Sequence, residues 1–143
     1  MSESEIVRYT RQVMSDCFPF LLEEGHGLNR FGVGGFSRRG SYHPTGRAAD
    51  IFFNAHNDLE ARCGDRVFRM FCTYQRQIGT DHVIWNRRIW SREHPSARPY
   101  TGRSPHTNHI HVFFVEDMAD QRPAILMRKS LEIAIAMGLA QHA

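Results

Sequence analysis

Three of the nine histidines fall within six positions, His106-Thr-Asn-His109-Ile-His111, and lead into a β-branched and aromatic run that ends at Val115. Such a run favours a strand. On a strand, residues 109 and 111 project to the same face roughly 7 Å apart along the chain, so one imidazole can bind a metal ion while the other reaches the water beside it. Upstream stands Ser41-Tyr-His43-Pro-Thr-Gly46-Arg-Ala48-Ala-Asp50. Its Pro-Thr-Gly turn lets the chain reverse, so His43 in a loop and Asp50 on the following strand can converge, which the same spacing on a straight strand would forbid. His43, Asp50 and His111 together supply two imidazoles and one carboxylate. Three protein ligands with one open position is the pattern of a catalytic zinc site, whereas a structural site closes the fourth position. One Zn2+ per chain is therefore expected.

The rest of the chain has to bring these two segments together. Residues 2 to 17 read as a helix opened by the capping-box pattern Ser2-x-x-Glu5, with Ile6, Tyr9, Val13 and Cys17 at helical spacing and Pro19 as its stop. Seven of the eleven glycines lie from Glu24 to Gly46, which predicts a winding loop with a short strand at Phe31 to Phe36. Ala48 to Phe53 has β character, Asp50 and Phe52 on one face and Ile51 and Phe53 on the other. Asn57-x-x-Glu60 opens a second helix whose stripe is Leu59, Cys63, Val67, Phe71, Tyr74 and Ile78, ended by Gly79. His82 to Trp85 and Arg88 to Trp90 suggest a hairpin around Asn86-Arg87, although that turn lacks glycine. A loop from Ser91 to Pro105 follows, then the strand His109 to Val115. Pro123 suits the first turn of a last helix running to about Met137 with Gly138 as its stop; being apolar on most sides, it is expected to pack on the sheet.

This order of helix, strand, helix, three strands and helix predicts an α+β fold: a small antiparallel sheet carrying the metal site, with two to three packed helices. With 143 residues, 41% of them hydrophobic, residues 1–143 suit a single domain whose motifs occupy about 40–115. The longest apolar run, Ile133 to Ala140, is far short of a bilayer span, so no membrane insertion is expected. The acidic start lacks an apolar segment of the Sec type, and the chain is expected to be made in the cytoplasm. Cys17, Cys63 and Cys72 are an odd number without a Cys-x-x-Cys pair, which favours buried reduced thiols over disulfides or a thiolate zinc site. A net charge of +3 and a pI near 9.0 suit a polyanionic partner, nucleic acid or an anionic cell wall, without choosing between them.

Ser-x-His-x-x-Gly-x-Ala-x-Asp followed by His-x-His resembles the zinc peptidase superfamily that unites lysostaphin-type endopeptidases, D-Ala-D-Ala carboxypeptidases and hedgehog-type domains. The resemblance covers roughly Gly40 to Val115 and implies zinc binding by His43, Asp50 and His111. Many D-Ala-D-Ala enzymes place Glu or Asp three residues before the last ligand as general base; here that position is Asn108, which cannot serve. The His-x-x-His-x-His branch known from penicillin-insensitive murein endopeptidases fits better, through His106, His109 and His111. The Val-Ile-Trp and Arg-Ile-Trp pair is also similar to catalytic domains of some phage and actinobacterial wall enzymes. What this implies is a zinc metallopeptidase that hydrolyses a stem-peptide or crosslink amide of peptidoglycan by metal-activated water. His109 is the expected general base or transition-state donor, with His106 as second candidate or as the group that orients it. An endolysin or an antibacterial effector is the natural context, acting on the wall in the periplasm or outside the cell after release or injection, the effector with an immunity or delivery protein as partner.

Other residues carry two readings. Ser41 either hydrogen-bonds a ligand or shapes the turn, and Arg38, Arg39, Arg47 and Arg103 either grip a substrate carboxylate or are solvated. Trp85, Trp90, Tyr42 and Tyr100 line a glycopeptide groove or pack in the core. His26, His56, His82, His94 and His142 have no partner by spacing. His43-Pro-Thr45 and His94-Pro-Ser96 resemble the paired motif of 2H phosphoesterases, with RNA as a fitting substrate. That alternative leaves Asp50, His109 and His111 unexplained, so a nucleic acid partner is not favoured. The other alternative is a hedgehog-like module that keeps zinc and has lost catalysis.

Overall fold

A computed structural model describes residues 4–23, 32–33, 46–115 and 121–139. Helix α1 (Glu5–Cys17) runs into a 3-10 turn at Pro19–Leu22, and β1 (Gly32–Val33) and β2 (Ala48–Ile51) follow. Helices α2 (Asp58–Thr73) and α3 (Gln75–Ile78) precede strands β3 (Thr80–Trp85), β4 (Arg88–Ser91), β5 (Arg98–Pro99) and β6 (Ile110–Phe114), and α4 (Arg122–Ala136) ends the described chain. The strands form one antiparallel sheet in the order β1-β2-β6-β3-β4-β5. The fold is α+β, as expected. β6, the last strand in sequence, lies between β2 and β3 and so brings the two motifs side by side.

Strand alternation separates two chemistries. Ala49, Ile51, Val83, Trp85, Trp90, Ile110, Val112 and Phe114 occupy the face that meets the helices, and all belong to the hydrophobic core. Asp50, His82, Ile84, His111 and Phe113 occupy the other face, matched by the pairings Asp50 with His111, Ile84 with His111 and His82 with Phe113. Each large apolar side chain buried on the helix side contributes roughly 1.5–3 kcal/mol, whereas the edge-to-face pairs Phe53–Trp85 and Phe71–Phe114 add about 0.5–1.5 kcal/mol each. Burial therefore holds the layers together, and ring geometry refines their fit.

Between Thr80 and His82 the ladder against β6 shifts by one residue. Thr80 pairs with Phe114; a regular ladder would then set His82 opposite Val112, on the core face. The extra residue, Asp81, absorbs that offset, so that His82, Val83 and Ile84 run in regular register opposite Phe113, Val112 and His111.

Several elements depart from expectation. Helix α1 begins at Glu5 with Ser4 as N-cap, and Ser4 makes no side-chain cap bond; its N–H bonds the Gly46 carbonyl, docking the helix start on the turn before β2. The buried residues of α1 are Ile6, Val7, Thr10, Val13 and Met14, a stripe rotated from the expected one, with the Thr10 hydroxyl returned to the Ile6 carbonyl. Asn57 caps α2 through its side chain as expected, but Glu60 reaches back to the Asn54 N–H. The second helix breaks at Tyr74, whose ψ of 32° re-aims the final turn so that Ile78 is fully buried before Gly79 stops it at φ 88°. Helix α4 packs chiefly on α1, α3 and α2, not on the sheet, because its buried residues are only Pro123, Met127, Ser130 and Leu131. Ile125 and Ile133 face solvent. The hairpin forms as expected, with Asn86 and Arg87 both left-handed (φ 47° and 66°), the backbone a two-residue turn between twisted strands requires.

Gly64 lies under the indole of Trp85, where a Cβ would come within 2.3 Å of the ring. Helix propensity alone favours Gly64→Ala by about 1 kcal/mol. Overpacking outweighs it: Gly64→Ala is expected to destabilise the protein by about 1–3 kcal/mol, read as a lower denaturation midpoint, and a midpoint raised by the substitution would contradict this packing.

Candidate functional site

Asp50 of β2 and His111 of β6 face each other directly across the ladder. His111 Nδ1 lies 3.4 Å from Asp50 Oδ1, and their side chains are only 10% and 21% exposed. Directly opposed residues of an antiparallel pair hold their Cβ atoms about 5 Å apart, so a short carboxylate and an imidazole meet there without distorting the sheet. Two donors on one tetrahedral ion, each at about 2.1 Å, are separated by about 3.4 Å. The pair thus fits two corners of such a shell. The other expected ligand, His43, lies outside the described residues, as do Ser41 and Arg39. Among the described residues no group of three His, Cys, Asp or Glu side chains could hold a metal ion.

His109, one residue before β6, lies over the same carboxylate, its Nε2 3.7 Å from Asp50 Oδ1. Its Nδ1 donates to Asn108 Oδ1 at 2.7 Å, and its ring packs beside Phe52. Asn108 therefore acts on the neighbouring imidazole, holding it in the tautomer whose Nε2 accepts.

His106 completes the row, its ring 4.6 Å from that of His109 and 6.0 Å from that of His111. Its Nδ1–H donates to the Ser104 carbonyl at 2.8 Å, and Tyr100 stands edge-on against it. His106 has φ 54°, in the left-handed region that few non-glycine residues occupy. The hairpin holds it there, since the Asn86 and Arg87 N–H groups bond the carbonyls of His106 and Pro105, both at 2.8 Å. Burial lowers the His106 pKa from its ordinary value, offset in part by the Ser104 carbonyl and by the charge of Asp50. At neutral pH the ring is neutral, with Nε2 as its acceptor.

His82, which has no partner by spacing, joins the cluster. Its Nε2 lies 3.2 Å from His111 Nε2 with the rings stacked at 5.2 Å, and its Nδ1 lies 2.9 Å from Asp81 Oδ2. Alternation with the core residues Val83 and Trp85 puts His82 and Ile84 on this face, and pairing with Phe113 sets the ring beside His111; that alternation and the Asp81-His82 dipeptide are the signals the sequence holds. The other candidates take different roles. Trp85 and Trp90 are core residues, and Trp85 donates to Asp65. Arg47 bonds the Val115 carbonyl and stacks on Phe113. Arg103 is exposed, and His94 is exposed on the loop between β4 and β5. The cysteines are free thiols, and burial pushes Cys63 up to about 11 and Cys72 up to about 12, far from the thiolate that metal binding requires.

No helix of the described chain is long and apolar enough to cross a membrane. No curated protein and no solved structure matches the sequence. A family model does, over residues 7–111, a span that takes in most of α1, the sheet through His111 and every described residue of the histidine cluster. The family is described as VldE, C-terminal domain. With well over half of its length matched, the chain belongs to the VldE C-terminal domain family.

Proposed function

We propose that this chain is a zinc-dependent peptidoglycan peptidase that hydrolyses a stem-peptide or crosslink amide. The observation that carries the reading is the opposition of Asp50 and His111 across β2 and β6, with His109 and His106 alongside. Asp50 and His111, together with His43 of the upstream motif, would hold one zinc ion. When bound, zinc supplies Lewis acidity, bringing the pKa of a water down towards 7 and polarising the amide carbonyl.

The chain's own residues handle the protons. Amide hydrolysis takes one proton from water and delivers one to the departing nitrogen. His109, oriented through Nδ1 by Asn108, presents Nε2 towards the Asp50 side and accepts the first. His106, kept neutral by burial and held by Ser104, is the second imidazole within reach, placed to orient His109 or to return the proton. The wall as substrate rests on the resemblance of the two motifs to murein peptidases, and the basic surface suits an anionic wall. The place of action is then the periplasm or the cell exterior, in an endolysin or an injected effector.

Mass spectrometry of muropeptides tests the proposal: purified sacculi digested by wild type should release cleaved fragments, and a chelated sample should not. His109→Ala should lose about 10²–10⁴ in rate while retaining zinc, whereas His43→Ala and Asp50→Ala should lose both. A wild type that binds zinc but leaves the muropeptide profile unchanged would sink the peptidase reading in favour of a binding module of hedgehog type.

A pH prediction follows from His106. Because the folded state lowers its pKa, its contribution to stability is complete above the unfolded value of about 6.5 and is lost as pH falls through that value towards the lowered one. Imidazole titration by NMR should place the His106 midpoint below 6.5, and His106→Gln should flatten the acid limb of stability against pH.

A further inference from the structure

We propose that Asp81 and His82 are positioning residues for the metal ligand His111, holding its ring from the side opposite Asp50. This inference rests on the zinc reading. The four side chains form one line: Asp81 Oδ2 to His82 Nδ1 at 2.9 Å, His82 Nε2 to His111 Nε2 at 3.2 Å, and His111 Nδ1 to Asp50 Oδ1 at 3.4 Å.

Donor accounting gives the line a direction. An imidazole that offers the Nδ1 lone pair to a metal keeps its proton on Nε2. His111 must then donate from Nε2, and the atom 3.2 Å away is His82 Nε2, which can accept only if His82 carries its proton on Nδ1. Asp81 accepts that proton at 2.9 Å and so selects the tautomer. The carboxylate fixes His82, and His82 fixes His111. The stacking of His82 between His111 and Phe113, with a side chain only 11% exposed, leaves its ring little freedom to turn.

Backbone geometry makes the arrangement specific. Adjacent residues of a regular strand point to opposite faces, so an aspartate and the histidine after it cannot bond each other. The ladder irregularity at Asp81 removes that restriction, while His82 keeps the face of His111 that its regular alternation with Val83 and Ile84 gives it. Outer partners of this kind raise ligand basicity and orient the ring, and removing one costs about 10–100-fold in metal affinity.

The test measures zinc affinity of the purified full chain by chelator competition, with thermal melts of the metal-free protein alongside. His82→Ala should weaken zinc binding about 10–100-fold at an unchanged one-to-one stoichiometry, in an apo protein that still melts cooperatively. His82→Gln, which restores an acceptor for the His111 Nε2–H, should recover most of that loss. Asp81→Ala should weaken binding less than His82→Ala, because it acts one bond further out. Zinc affinity within twofold of wild type in folded His82→Ala would overturn the inference and leave the peptidase reading standing. Complete loss of zinc in His82→Ala, equal to that of Asp50→Ala and not recovered by His82→Gln, would also overturn it by making His82 a ligand. A wild type that binds no zinc would overturn both readings.

Discussion

The opposition of Asp50 and His111 is the contact around which the rest is organised, and it exists only because β6 is inserted between β2 and β3. A carboxylate and an imidazole at directly paired positions of a ladder are held by backbone hydrogen bonds on both strands, so their separation is set by the sheet and not by flexible side chains. The helix side of the same strands supplies the rigidity. Val112 and Phe114 of β6 are fully buried in the core, and they alternate with His111 and Phe113 on the face of the candidate site. One strand thus anchors the layer with one face and builds the site with the other.

A second support comes from a hairpin far from the site in sequence. The left-handed turn at Asn86-Arg87 directs two N–H groups at the loop that carries His106, and so holds a backbone conformation that few non-glycine residues occupy. Local strain persists where the surroundings over-determine it. The two neighbouring imidazoles consequently rest on different scaffolds, His109 on the start of β6 and Asn108, His106 on the tip of the hairpin and Ser104.

Much of this was legible in the residues. The strand period puts residues 109 and 111 on one face, and the capping at Asn57 and the glycine at position 79 bound the region of the second helix. Motif spacing brings Asp50, His106, His109 and His111 into one neighbourhood. What the sequence does not carry is relative register. Alternation with Val83 and Trp85 gives His82 its face, but its meeting with His111 depends on how β3 slides against β6, a property of two segments at once that periodicity within either cannot supply. The same holds for α4, whose apolar residues suggest a sheet-facing helix although most of its buried contacts are with other helices. The break at Tyr74 has no glycine or proline to announce it and answers only to the burial of Ile78.

The irregularity at Asp81 makes the number of residues in β3, and not only their identity, a determinant of the site. Losing Asp81 would leave Thr80 opposite Phe114 and His82 opposite Phe113 as consecutive pairs, a regular ladder in which the histidine keeps its face but loses the carboxylate behind it. Insertion and deletion are then a route by which related chains could gain or lose the outermost carboxylate of this cluster in a single event. A comparison of such chains by residue type alone would overlook it.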